Sequence, residues 1–319
     1  ALVDGIRAGG GTNLGAGLQT GINVMLSASE NGNAGKVILI SDGLANKGIT
    51  DAARLGRMAG IAVEKEFAVS TVGVGNDFNE QLMTAIADRG AGNYYYLENP
   101  LAFAEVFQKE FLYTRTTLAT NVSISFPLSS GISITDASGY PISVKNNHAV
   151  FYPGDLRAGQ VRKLFLTLKV PTGEIASFEL GRIKTRYRFK DRTMESEQDG
   201  AYKIACVKDN REVKSSIDKT SWAENVFRED YNRLKQEIAA DIKAGKKQKA
   251  QGKIRSYYRE QESINAAVGS AEVTQNLDRD LKDLQQRVEE TFQGAPAAVS
   301  RKQKANSKAI QYEGYKGRR

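Results

Sequence analysis

The segment KVILISDG at residues 36–43 is the feature that most constrains the fold of this chain. It is an unbroken apolar run that ends in a polar turn, as expected of a strand that a sheet buries on both faces. Two further runs of this kind, FAVSTVGVG at 67–75 and GNYYYLE at 92–98, are separated from it by amphipathic helical patterns. Because strands and helices alternate at this spacing, residues 1–118 are predicted to form an α/β domain with a doubly wound parallel sheet.

The rest of the chain changes character twice. Residues 119–210 read as short alternating strands between Gly, Pro and Asn turns, which predicts an antiparallel β-sandwich. Residues 215–293 carry helical periodicity that is broken near Gly245 and Gly269, and they predict a helical hairpin or small bundle. Residues 294–319 contain seven Lys or Arg and one Glu, and this basic tail is predicted to be disordered.

Composition argues against several classes of function. The formal net charge is +8, and the tail supplies +6 of it (seven basic residues minus one Glu), so the body is nearly neutral. A nucleic-acid-binding domain would spread positive charge over one folded face, so nucleic acid is not expected as a partner. No stretch approaches the roughly 18–20 apolar residues that span a bilayer. The single Cys206 excludes an internal disulfide, and the single His148 lacks metal-site spacing.

Two polar loops of the first domain carry candidate metal ligands. GGGTNLGAGL at 9–18 precedes a helical pattern, and the SDG at 41–43 ends the first buried strand. The carboxyl ends of parallel strands form the ligand-binding edge of such a sheet, so Asp42 lies where a carboxylate can bind a cation. Thr12 can add a hydroxyl, and hard divalent cations such as Mg²⁺ prefer oxygen ligands.

The glycine loop also has other interpretations. A phosphate-binding P-loop needs G-x-x-x-x-G-K-[ST], and no Lys follows a glycine here at that spacing. A dinucleotide site needs G-x-G-x-x-G; Gly9 and Gly11 fit, but Leu14 stands at the third glycine position. A turn that only caps a helix stays open as an alternative. The segment ITDASGYPI around Asp136 is similar to a metal loop, but we interpret it as a β-turn.

Three segments, taken in order, resemble a known domain family. GGGTNLGAGL, VILISDGLANKG and STVGVGNDFNEQLMTAIADRGAGNYYYLENP look like the second half of a von Willebrand factor type A (VWA) domain, most of all in bacterial calcium-activated chloride channel homologues. The resemblance covers about residues 6–118. It implies a Rossmann-like sheet with a metal-ion-dependent adhesion site, which uses a D-x-S-x-S loop, a Thr and an Asp. Thr12 matches that Thr, and Asp42 matches that Asp.

The resemblance also sets expectations about function. D-x-S-x-S is not found upstream of Gly9, so we expect this to be the C-terminal part of an N-terminally truncated domain, with an incomplete site for Mg²⁺ (or Ca²⁺ or Mn²⁺). The family implies a non-enzymatic protein, and no nucleophile–base pair or paired carboxylates are visible. A protein partner would offer a carboxylate to the metal. The alternative is an accessory subunit of an ATP-driven chelatase or remodelling complex. An extracytoplasmic or cell-envelope location is a family expectation alone.

Overall fold

The structure is a computed structural model that describes residues 10–29, 35–65, 67–129, 131–190, 192–200 and 202–319. The chain divides into two compact units, and each is described by itself. Unit 1 consists of Ala1–Val122, Tyr152–Ala158 and Tyr187–Arg192, and unit 2 of Ser123–Phe151, Gly159–Arg186 and Thr193–Arg319. The sequence predicts one β-domain over 119–210, whereas parts of that segment belong to each unit.

In unit 1 the described residues form a parallel sheet in the order β1-β2-β3. The strands are β1 (Lys36–Ser41), β2 (Ala68–Val74) and β3 (Ala91–Leu97). The first two fall within apolar runs that the sequence predicts as strands, and β3 begins one residue before the predicted run at 92–98. Ser41 pairs with Gly73, and Val74 pairs with Leu97. The carboxyl ends of all three strands therefore meet at one edge of the sheet.

Helices cover both faces of this sheet, which confirms the doubly wound arrangement. They are α1 (Leu14–Ser29), α2 (Ala52–Glu64), α3 (Glu80–Arg89) and α4 (Phe103–Thr116). Successive side chains of β2 point to opposite faces. The Ser70 hydroxyl donates to Glu110 of α4 at 3.0 Å, and the Thr71 hydroxyl donates to the carbonyl of Met83 in α3 at 2.9 Å. Gly90 caps the C-terminus of α3, as the sequence predicts.

Short antiparallel strands follow, as predicted. They are β4 (Thr117–Pro127), β5 (Ser133–Ala137), β6 (Ser143–Lys145), β7 (His148–Phe151), β8 (Leu156–Arg157), β9 (Leu166–Lys169), β10 (Ser177–Leu180), β11 (Lys184–Phe189), β12 (Arg192–Glu197) and β13 (Tyr202–Ala205). The first residues of β4 pair with β8 in unit 1. In unit 2, β7 pairs with β4 and β6, β5 with β9, and β10 with β13. Side chains from these pairings, among them Phe126, Ile134 and Leu180, pack into one core.

The helical part of unit 2 begins earlier than the sequence predicts, at Asn210. Its elements are α5 (Asn210–Ser215), α6 (Lys219–Asn225), a π-helical turn (Val226–Asp230), α7 (Tyr231–Lys243), α8 (Lys247–Val268), α9 (Ala271–Thr291) and α10 (Pro296–Arg318). Gly245 and Gly269, where breaks are predicted, follow α7 and α8 with φ of 72° and 69°. Ile238, Ile254 and Leu284 belong to a core that α7, α8, α9 and α10 share. None of the described helices is long and apolar enough to cross a membrane.

The prediction of a disordered tail over 294–319 is wrong. Pro296–Arg318 form α10, which packs along α7 and buries Ile310 and Tyr315. A Cβ at Gly314 would meet the backbone oxygen of Asn232 in α7, so the missing side chain lets the two helices approach closely. The contact depends on small residues, and an apolar pattern therefore does not reveal it.

Candidate functional site

Hydrogen bonds join the two loops that carry Thr12 and Asp42. Thr12 lies just before α1 and forms a parallel β-bridge with Ala45, in the loop that follows β1. The Thr12 carbonyl accepts from the amides of Asn46 at 3.0 Å and Lys47 at 3.2 Å. The Thr12 amide in turn donates to Oδ1 of Asn46 at 2.8 Å. The structure therefore brings the two predicted loops together at the carboxyl edge of the sheet.

The Thr12 hydroxyl lies against the residue that follows Asp42. A Cβ placed on Gly43 would be 3.0 Å from Oγ1 of Thr12, closer than side chains normally pack. The Ser41 hydroxyl donates to the Gly43 carbonyl at 3.0 Å and holds this turn in shape. Thr12 is half-buried and Asp42 is exposed. The Thr12 hydroxyl thus lies beside the backbone of Gly43, the residue that follows Asp42, and the Asp42 side chain is exposed to solvent.

Glycines in both loops leave room for contact between them. A Cβ at Gly11 would overlap the Asn46 side chain and the aliphatic part of Lys47. Gly48 has a φ of 66° and packs beside Asn13, whose Oδ1 also accepts from the Ala16 amide at 3.0 Å at the start of α1. Helix capping is therefore one role of the glycine loop, and contact with the Asp42 loop is another.

Sequence reasoning missed Asn46, which makes two of the hydrogen bonds to Thr12. Asn and Gly together are typical of turns, so ANKG at 45–48 predicts only a turn. The pairing of this side chain with a residue 34 positions away has no counterpart in any local pattern. The hydrogen bond between Asn46 and Thr12 can be recognised only in the folded structure, where the two loops lie side by side at the carboxyl edge of the sheet.

The donors fit a hard divalent cation in kind. A carboxylate and a hydroxyl are oxygen ligands, which Mg²⁺ and Ca²⁺ prefer, and Mg²⁺ usually takes six ligands in an octahedron. Within the part of the chain that the structure describes, no group of three or more His, Cys, Asp and Glu could hold a metal. Thr12 and Asp42 would supply two of six ligands to Mg²⁺, and waters or other groups would supply the rest.

Other residues that the sequence singles out are engaged elsewhere. Oδ1 of Asp136 accepts from the amide of Gly139 at 2.8 Å, which confirms the predicted β-turn, and Oδ2 pairs with Arg318 at 2.7 Å. Cys206 is a free, half-buried thiol. Nδ1 of His148 lies 2.9 Å from a backbone carbonyl.

A second polar cluster of unit 1 is buried on the α4 face of the sheet. Glu110, 1% exposed, contacts Lys36 at 2.8 Å and accepts from Ser70 at 3.0 Å, Asn93 at 2.8 Å and Tyr95 at 2.6 Å. Burial raises the pKa of Glu110, but the Lys36 charge and hydrogen bonds from Lys36, Tyr95 and Asn93 lower it more, so the net shift is downward. The Glu110 carboxylate is charged, and the ion pair with Lys36 and three hydrogen bonds hold it in place, which suits a structural role.

Comparison with known proteins identifies the first part of the chain. Residues 1–109 match the family model of the von Willebrand factor type A domain. This part of the chain is a VWA domain. The match includes both loops of the candidate site. The finer resemblance to calcium-activated chloride channel homologues, and the placement as a C-terminal part, receive no support from the comparisons.

Relatives and a solved structure extend this result. The chain is 34% identical over 123 residues to the uncharacterized protein YfbK of Escherichia coli (strain K12), covering 38% of this chain and 21% of that protein. It is 25% identical over 195 residues to the uncharacterized protein sll0103 of Synechocystis sp. (strain ATCC 27184 / PCC 6803 / Kazusa), covering 58% and 46%. The chain thus spans less than half of either relative.

The structural likeness reaches further along the chain. A von Willebrand factor type A protein from Catenulispora acidiphila superposes with a TM-score of 0.66 at 17% identity, covering 98% of this chain and 72% of that one. Such a likeness shows the fold and nothing of the activity. It includes the β-strands and helices that follow the VWA domain.

Proposed function

We propose that this protein binds a protein partner through a divalent cation held by Thr12 and Asp42 of its VWA domain. The observation that carries the proposal is the joining of the two loops, which puts the Thr12 hydroxyl against the backbone of Gly43, next to Asp42. Two oxygen donors from loops 30 residues apart are held at one edge of the sheet. A turn that only caps α1 would not need this contact.

Each residue has a distinct part in the proposed site. The Asp42 carboxylate would bind Mg²⁺, Ca²⁺ or Mn²⁺ directly, and the Thr12 hydroxyl would be a neutral second ligand. One carboxylate does not neutralise a divalent cation, so the bound metal would attract a carboxylate from a partner. Asn46 would act as a positioning residue, because it holds the Thr12 backbone on the Asp42 loop.

The surroundings of Asp42 suit a macromolecular partner. Leu44, two residues on, is 58% exposed. A partner protein could bury the apolar side chain of Leu44 and place a complementary charge near the Asp42 carboxylate in the same interface. We therefore favour a protein partner that offers an Asp or Glu, and non-enzymatic binding is the proposed activity.

Manganese provides a direct test, because Mn²⁺ also prefers carboxylate and hydroxyl ligands and is detected by electron paramagnetic resonance. Titration of the full chain should show a bound Mn²⁺ that Asp42→Ala abolishes and Thr12→Ala weakens. The matched control is Glu98→Gln, which removes another exposed carboxylate just beyond β3, at the same edge. The proposal would be contradicted if Asp42→Ala bound Mn²⁺ as well as the wild type does, or if Glu98→Gln lost as much Mn²⁺ binding as Asp42→Ala.

The partner's carboxylate has a test of its own. A short peptide with one Glu should displace water from bound Mn²⁺ and reduce water-proton relaxation, while the same peptide with Gln should not. If the Glu and Gln peptides had the same effect on water-proton relaxation, the proposal that a partner carboxylate binds the metal would be contradicted. The proposal that Thr12 and Asp42 bind the metal would be unaffected.

A further inference from the structure

A small cavity of unit 2 lies at the C-terminal end of α10, on a part of the chain that the proposed metal site does not use. Three segments that are distant in the sequence line it: the residues just before β9, the π-helical turn and the end of α10. Among the described residues that line the cavity, none is acidic and five are basic, namely Arg162, Lys163, Arg228, Arg318 and Arg319. The fold of unit 2 therefore brings positive charge to one cavity.

Arg318 is a buried cation with one unused hydrogen-bond donor. Its side chain is only 6% exposed. Nη1 donates to Gln236 at 3.1 Å, and Nη2 donates to Asp136 and Glu229. Nε is also buried, but it donates to no atom of the residues that the structure describes. Since a buried N–H without an acceptor is costly, an oxygen atom in the cavity would supply what Nε lacks.

Aromatic rings hold the neighbouring cation, Arg319, in place. Its guanidinium lies over the ring of Tyr140, 3.4 Å from the ring centroid, and 5.1 Å from the centroid of Tyr315. Nη2 of Arg319 also donates to the carbonyl of Gly139 at 3.2 Å. Because Arg318 and Arg319 are both fixed by contacts within the protein, an anion that binds between such groups pays little to order them.

The carboxylates that pair with these cations lie behind them. Glu224 contacts Lys163 at 2.5 Å, and Asp136 and Glu229 bond to Arg318. None of these three carboxylates is among the described residues that line the cavity. A ligand inside it would therefore meet basic side chains and no acidic one.

The size of the cavity limits the ligand to a small ion or group. One water needs roughly 10–15 Å³ of space open to a water-sized sphere, so the cavity, at about 40 Å³ on the same measure, holds about three. A tetrahedral oxyanion fits this space, whereas a nucleotide or a helix does not. Several guanidinium groups together favour the doubly charged phosphate over a singly charged carboxylate, because the planar fork of Arg matches phosphate oxygens.

We propose that this cavity binds a phosphate group. One phosphate oxygen would accept from Nε of Arg318, and Arg162 and Arg228 would donate to the others. Arg228 is exposed, and Val161, which also lines the cavity, is 84% exposed, so the phosphate can enter from solvent. Inorganic phosphate and the phosphate of a phosphorylated partner protein present the same oxygens to these donors.

The test titrates inorganic phosphate into the full chain by isothermal titration calorimetry at constant ionic strength. EDTA is present throughout, so the result does not depend on the proposed metal site. We expect saturable binding of phosphate that sulfate, an oxyanion of similar shape, competes for. Chloride at the same ionic strength should not compete, because it lacks the oxygens that a fork of N–H donors recognises.

A double variant, Arg162→Gln with Arg228→Gln, should weaken phosphate binding by roughly ten-fold, because charge-assisted hydrogen bonds are lost. The matched control is Arg255→Gln with Arg259→Gln, which removes two exposed arginines of α8 in the same unit. It should bind phosphate like the wild type. Circular dichroism confirms that both variants fold.

The buried donor of Arg318 provides a second readout. The Nε–H groups of arginines give NMR signals, and the signal of Arg318 is the one that Arg318→Lys removes. Phosphate should shift this signal in the wild type and in the control variant. A purely structural role of Arg318 predicts no such shift.

A peptide distinguishes the two sources of phosphate. A short peptide with one phosphoserine is compared with inorganic phosphate, and the same peptide without the phosphate is the control. Tighter binding of the phosphopeptide than of inorganic phosphate would assign the cavity to a phosphorylated partner protein. Weaker binding of the phosphopeptide would assign the cavity to the free ion.

Four outcomes would overturn the proposal. The wild type would fail to bind phosphate, the two double variants would lose phosphate binding equally, chloride would compete as well as sulfate does, or phosphate would leave the Arg318 signal unmoved. The second and fourth of these would place any bound phosphate outside this cavity.

Discussion

At position 43 the absence of a methyl group decides where the Thr12 hydroxyl can lie. A Cβ there would be 3.0 Å from Oγ1 of Thr12, so an Ala would push the hydroxyl away by a few tenths of an ångström. Metal–ligand distances in a well-formed site lie within about 0.2 Å of their standard values. The identity of residue 43 therefore matters more to the proposed site than to the fold.

Gly43→Ala is expected to weaken Mg²⁺ binding by about ten-fold, since a displaced ligand loses part of its interaction with the metal. The free energy of unfolding should change by less than about 1 kcal/mol, because only one half-buried side chain must move. Calorimetric titration and urea unfolding measure the two effects. Unchanged affinity would show that the Thr12 hydroxyl does not bind the metal.

Glu110 provides a residue-scale prediction about stability. Its carboxylate is buried with Lys36 and three uncharged donors, so Glu110→Gln leaves the Lys36 charge poorly paired. We expect the free energy of unfolding to fall by about 2–4 kcal/mol at pH 7. Glu105→Gln, an exposed change on the same helix, should cost less than about 0.5 kcal/mol.

The pH dependence has a definite sign. The pKa of Glu110 is lowered in the folded state, so its contribution is fully present above the unfolded pKa of about 4.3. That contribution is lost as pH falls through the lower folded pKa. The difference in stability between wild type and Glu110→Gln should therefore shrink in acid. A difference that grows below about pH 4 would contradict the ion-paired assignment.

At the scale of elements, α10 shows what a sequence pattern can hide. Its contact with α7 uses Gly314 and Gly317, where a side chain would overlap Asn232. Close backbone approach replaces a row of large apolar residues, so the segment reads as polar and basic. Charges that suggest a solvated tail are partly used in ion pairs, as Arg318 is with Asp136.

A matched pair of glycine substitutions tests this packing. Gly314→Ala places a methyl against the Asn232 backbone and should lower the free energy of unfolding by about 1–2 kcal/mol, as overpacking does. Gly252→Ala, in α8, meets nothing within 4 Å, and it should raise stability by about 0.5–1 kcal/mol through helix propensity. Chemical denaturation compares the two. Stabilisation by both changes would show that α10 does not pack closely on α7.

The elements of unit 1 could be predicted because their signals are local. The three parallel strands follow from unbroken apolar runs such as 36–43, and α3 ends at the glycine that marks its C-cap. Thr12 and Asp42 could be proposed because both lie in loops at the carboxyl edge of the predicted sheet. The role of Asn46 could not, since it depends on a contact across 34 residues.

At the scale of the whole molecule, the division into units depends on distant contacts. Within unit 2, Arg318 bonds to Asp136, 182 residues earlier, and to Glu229, 89 residues earlier. These bonds link α10 to the strand β5 and to the π-helical turn. No periodicity connects positions so far apart, and the sequence therefore suggests separate segments where the structure has one compact unit.

The central claim is that Thr12 and Asp42 hold a divalent cation, and the most direct measurement is the melting temperature of the full chain with Mg²⁺ and with EDTA at matched ionic strength. Metal at about 100 times its Kd should stabilise the native state by about 2.7 kcal/mol, or roughly 5–10 °C. Asp42→Asn should remove this shift, and Glu98→Gln should keep it. A wild type that melts at the same temperature in both buffers, or an Asp42→Asn variant that responds equally, would contradict the claim.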